Sequence, residues 1–159
     1  MTTKQEFLQK LFREFEKEHN YTPTGTKTVA DWAIDNGKIE PPRIDQRTVL
    51  AQEISKALRE ETATDKYGRK YRVNHVVRES KNGEQQYLWA SIGNIPRKQM
   101  EKSISQRREA IVSDCYHLKV DVDAYNDAHP EEEAIQLELN FTDDVAEREI
   151  YLQAEEEAA

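Results

Sequence analysis

Apolar positions along the first third of the chain repeat with a helical period. Phe7, Leu8, Leu11, Phe12 and Phe15 make one stripe and predict a helix ending near His19. Thr3 and Glu6 have capping-box spacing at its start, each able to satisfy an otherwise orphan backbone N–H. A short second helix is predicted on Val29, Ala30, Trp32, Ala33 and Ile34, capped by Thr26 or Thr28 and stopped by Gly37. Pro41 and Pro42 interrupt the pattern. Asp45 then caps a third helix reaching about Glu61, with Val49, Leu50, Ile54, Ala57 and Leu58 as its buried face.

After Gly68 the period falls to two. Tyr71, Val73, His75 and Val77 alternate with Arg72, Asn74, Val76 and Arg78, and a second strand covers Tyr87 to Ile92. Asn82-Gly83 marks the hairpin between them, within a loop read as longer than two residues. Pro96 opens a long helix running without a breaker to about Asn126. On it Ile104, Ile111, Leu118 and Tyr125 recur every seven residues, and Arg108, Cys115 and Val122 fill the four-residue offsets. This seam fits a coiled-coil dimer helix or a helix packed along its own domain. Ile135, Leu137, Leu139 and Phe141 then alternate with polar residues as a half-buried strand, which needs either the hairpin or a second subunit to pair with. A short terminal helix carries Val145, Ile150 and Leu152.

Three helices followed by a hairpin is the order of a winged helix-turn-helix domain. The stretches TVADWAIDNG, DQRTVLAQEISKALREE and the RKYRVNHVV/QYLWASI hairpin resemble that fold between Val29 and Ile92, and the whole sequence is similar to members of an uncharacterised bacterial family. The expected fold class is therefore α+β: a winged helix-turn-helix core of three helices plus a β-hairpin over residues 1–94. A long helix, an added strand and an acidic terminal helix over residues 95–159 form a dimerisation or interaction extension.

Composition narrows the function. No run of about 18 apolar residues is available to span a membrane, and the first residues lack the apolar core of a secretory signal. One cysteine among 159 residues forms no intrachain disulfide, so the chain is expected to be cytoplasmic. The net charge of -8 is unevenly spread. Residues 66–108 carry eleven Lys/Arg against three Asp/Glu, whereas residues 109–159 carry two against sixteen. Polyanions respond to local potential, because screening limits exposed charges to roughly 8 Å.

Enzymatic patterns are missing. Five scattered glycines supply no phosphate-binding loop, and Cys115 and His117 diverge on a helix, so no metal or other cofactor is expected. His75, on the apolar face of a strand, reads as a hydrogen-bonded core histidine. The basic constellation remains. Lys66, Arg69, Lys70, Arg72, Arg78 and Lys81 belong to the wing and its approach, with Tyr67 and Tyr71 interleaved. In a helix-turn-helix the second helix of the pair presents its first residues to base edges, here Gln46, Arg47 and Thr48, with Gln52 one turn on and Arg43 near a phosphate. These residues predict a non-enzymatic protein that binds double-stranded DNA, a dimeric transcriptional regulator or mobile-element accessory factor. Ile104, Ile111, Cys115, Leu118, Val122 and Tyr125 would make the homodimer seam. The alternative is an inhibitor or interaction protein, such as a defence or nuclease antagonist, whose acidic C-terminal third meets a protein partner.

Overall fold

A computed structural model describes residues 3–158. Among the described residues, five helices and two small antiparallel sheets make an α+β protein. In chain order the elements are α1 (Lys4–Glu18), α2 (Thr26–Asp35), α3 (Gln46–Glu60), β1 (Thr62–Thr64), β2 (Lys70–Arg72), β3 (Asn74–Lys81), β4 (Glu84–Ser91), α4 (Arg97–Ala128) and α5 (Thr142–Ala158). The chain divides into two units, Met1–Val49 and Leu50–Ala159, so the expected boundary near residue 94 falls inside the second unit.

In the first unit α1 packs on α2. The capping box of Thr3 and Glu6 is formed in both directions, at 2.8 and 3.1 Å. Leu11, Phe15 and Ala33 are buried, and the Phe15 ring stacks on His19 while meeting Trp32 edge-on. The cap of α2 differs from expectation: Gly25 occupies that position, and no side chain bonds to the first turn. Its end is as expected. Gly37, at φ +63°, donates its N–H to Ile34 O, and Lys38 N–H reaches Ala33 O, which satisfies two orphan carbonyls.

The apolar face expected for α3 is not buried. Leu50 and Ile54 are 56% and 50% exposed, and no residue of the helix is fully covered. Asp45 does cap its start, accepting from Arg47 N–H at 3.2 Å and from the Thr48 hydroxyl at 2.9 Å. The far end is anchored by polar contacts instead of apolar burial: Asn74 donates to Leu58 O at 3.2 Å, and the Arg59 guanidinium lies over the Trp89 ring.

Two hairpins stand where one was expected. Residues 70–78 do not form a continuous strand, because the chain bends at Val73. The hairpin immediately following α3 is β1–β2, with Thr62 opposite Arg72 and Thr64 opposite Lys70. The second, β3–β4, pairs Asn74 with Ser91 through Lys81 with Glu84. Its loop is only Asn82-Gly83, both at positive φ. That turn matches the right-handed twist of the strands, so pairing continues to its edge and the loop is shorter than expected.

The outer edge of β3 is covered by α4. The buried Ser103 hydroxyl donates to Val76 O at 2.9 Å. Arg78 N–H donates to Gln106 Oε1 and Gln106 Nε2 donates back to Arg78 O, both at 2.9 Å. One side-chain amide thus replaces the backbone pair that a neighbouring strand would supply.

The same device recurs near the other end of α4. Ile135 N–H donates to Asn126 Oδ1 at 2.9 Å, and Asn126 Nδ2 donates to Ile135 O at 3.1 Å. Residues 134–139 then run alongside Lys119, Val122 and Asp123, with Leu137 and Leu139 half-buried. The alternating segment from Ile135 to Phe141 is therefore no strand of either sheet. The helix lies along only part of the alternating face: Leu137 and Leu139 are half-buried, whereas Ile135 and Phe141 stay exposed.

Candidate nucleic-acid interface

The turn joining β1 and β2 is organised by one carboxylate. Asp65 accepts from Tyr67 N–H at 2.9 Å, from Arg69 N–H at 3.0 Å and from Arg69 Nε at 2.7 Å. Desolvation acts to raise its pKa, but the Arg69 side-chain bond and the two backbone N–H groups outweigh it and hold the carboxyl below its ordinary value of 3.8. Gly68, at φ +74°, closes the turn through its N–H to Asp65 O. Lys66 and Arg69 both lie over the Tyr67 ring, at 5.0 and 5.2 Å from its centre. The tip thus presents one cation unpaired among the described residues, Lys66, against an aromatic ring, while Asp65 matches the Arg69 charge.

Arg72, on β2, approaches Arg107 of α4. Burial and then the Arg72 charge push the Arg107 guanidinium pKa down. In the sequence Arg97, Lys98, Lys102, Arg107 and Arg108 continue the positive region but spread around the long helix instead of lining one stripe, so none of them is a candidate contact, and no local period links Arg107 to Arg72. Lys66, Lys70, Arg72, Arg78, Lys81 and Arg107 make no ion pair among the described residues. Lys102, by contrast, is neutralised by Glu79 at 3.3 Å.

The other candidates are placed more separately. Arg78 has its backbone held by Gln106 and its side chain exposed, and Lys81 stands at the Asn82-Gly83 turn. Arg43, Gln46, Arg47 and Thr48 belong to the first unit, where all four are exposed. The Thr48 hydroxyl is committed to the Asp45 cap, which reduces its capacity for base contact. Gln52 is exposed on α3. His75 is buried, its Nε2 3.0 Å from Arg72 O, as a core histidine should be.

Acidic α5 lies close to the basic turn. Glu149, Leu152 and Gln153 share with Tyr67 and Arg69 a cleft of about 420 Å³. Val145, Ile150, Tyr151 and Leu152 on this helix are all exposed. Along α4, Ile104, Ile111, Leu118 and Tyr125 are exposed and Cys115 is half-buried. Val122 departs from the expected seam: the chain's own residues 134–139 lie against it. Among the described residues no three His, Cys, Asp or Glu side chains converge as a metal site would require, and no helix is long and apolar enough to cross a membrane. Compared with protein-family models, curated proteins and solved structures, the chain matches none of them.

Proposed function

We propose that the chain is a non-enzymatic protein that binds double-stranded DNA, with the β1–β2 hairpin as its phosphate-gripping element. The observation carrying this reading is the β1–β2 hairpin itself, which sets Lys70 and Arg72 on one strand and Lys66 over the Tyr67 ring, none of the three ion-paired among the described residues. Cations without a carboxylate partner on one hairpin leave their charge available to a phosphate. The order of three helices followed directly by a hairpin supports a winged helix-turn-helix reading, with β1–β2 as the wing. Gln46, Arg47 and Gln52 are then the base-reading candidates on α3, and Arg43 a further phosphate contact. The biological class that fits is a transcriptional regulator or a mobile-element accessory factor.

Fluorescence anisotropy with random and genomic duplexes over a salt series tests the reading. Lys66→Ala/Lys70→Ala should weaken every sequence alike and flatten the slope of log K against log salt by about two. Arg47→Ala should instead change discrimination between sequences by about 1–3 kcal/mol. No binding at about 50 mM salt, where phosphate contacts are strongest, would overturn the proposal.

A second reading draws on α5, whose exposed apolar side chains and carboxylates stand next to Arg69. In that reading the acidic third meets a protein. A chain ending at Pro130 keeps its DNA affinity under the first reading and loses its partner under the second.

A further inference from the structure

Helix α4 is polar from end to end in its charge. Residues 97–108 hold five Lys/Arg and one Glu, whereas residues 109–128 hold one Lys and five Asp/Glu. Ile104, Ile111, Leu118 and Tyr125 stay 53%, 56%, 46% and 45% exposed. At about 100° per residue, these four share one stripe spanning roughly 60° of the helix and about 32 Å of its length. Ser103 and Gln106 hold the β3 edge on one side of the stripe; Val122 shares the azimuth of Ile104 at its other edge, and Asn126 holds Ile135 about 40° beyond. The fold has thus dressed both flanks of the helix and left most of the apolar strip open, the Tyr125 ring alone stacking on His129 of its own chain.

We propose that this strip is covered by the same strip of a second copy, with the two α4 helices antiparallel. Charge selects the occupant and its direction. With Lys102 matched by Glu79 and Arg97 by Glu101, a parallel pair would still set Lys98, Arg107 and Arg108 against their own copies and the acidic halves against each other. An antiparallel pair sets each basic half against an acidic one, which is favourable along the whole contact and more so as water is excluded. The register follows from using all four apolar residues. A two-fold axis passing between Asp114 and Cys115 places Ile104 opposite the partner's Tyr125 and Ile111 opposite the partner's Leu118. An isologous contact of this kind closes at two copies. This inference stands apart from nucleic-acid binding and does not require it.

Sedimentation of the full chain combined with spin-label distances tests both parts. The chain should sediment as a dimer, and Leu118→Lys should sediment as a monomer with its helical circular dichroism intact. In a Cys115→Ser background, labels at Ser105→Cys should lie about 30 Å apart across the antiparallel pair, against about 10–15 Å in a parallel one. A monomeric mass across the concentration range, or a dimer that Leu118→Lys leaves intact, would overturn the seam. A short label distance would overturn the orientation.

Discussion

Gln106 is the most informative single position for the packing of the second unit. Its amide accepts from Arg78 N–H and donates to Arg78 O, each at 2.9 Å, across the open edge of β3. Replacement by Met keeps most of the side-chain volume and removes both bonds. A neutral hydrogen bond contributes about 1 ± 0.5 kcal/mol net, so losing two costs about 1–3 kcal/mol. Gln106 is half-buried, so water recovers part of what is lost, and about 1–2 kcal/mol is expected. With a urea slope near 2 kcal/mol/M, the unfolding midpoint should fall by roughly 0.5–1 M at constant slope. Gln106→Ala should cost somewhat more through lost packing. Combined with Ser103→Ala, the two changes should prove non-additive, because Ser103 grips Val76 on the same strand edge. An unchanged midpoint for Gln106→Met would refute the idea that this amide stands in for a neighbouring strand.

Asn126→Ala should expose the Ile135 amide to hydrogen exchange while leaving the β3–β4 amides protected, since Asn126 holds Ile135 in both directions. The Asp65 carboxyl, held below 3.8 in the folded chain, contributes its full ordering of the β1–β2 turn above pH 3.8 and loses it as the pH falls through the lower folded value. Amide exchange at Tyr67 and Arg69 followed against pH should show that transition, and Asp65→Asn should abolish it; a transition above pH 3.8 would contradict the bonding described. Gly37→Ala meets nothing within 4 Å of the added Cβ, so only the left-handed backbone at φ +63° opposes it, and thermal unfolding should report a loss of about 1 kcal/mol.

The helices were legible where local chemistry marks their ends. Thr3 with Glu6, Asp45, Gly37 and Pro96 all sit at the termini that they predict. Burial was less legible. The stripe on α3 has the same period as the stripe on α1, yet only α1 buries residues from it, because periodicity reports that a face is apolar and not that anything covers it. The segment from Ile135 to Phe141 illustrates the same gap: its alternation predicted a half-buried strand, but it joins no sheet, and only Leu137 and Leu139 are half-buried while Ile135 and Phe141 stay exposed. Of the candidate interface, the Lys66–Arg72 cluster could be read directly, since its members are sequence neighbours. The Arg72–Arg107 approach and the proximity of Glu149 to Arg69 could not, because each depends on how distant elements fold back.

Gln106 and Asn126 also turn α4 into a ruler. Twenty residues, roughly 30 Å of helix, set the span between the grip on the hairpin and the grip on the tail. Inserting a single residue between them would swing the tail about 100° around the axis and uncouple the two grips, while seven added residues would nearly restore the facing and only lengthen the span. The molecule can therefore vary its reach in steps of whole turns but not continuously.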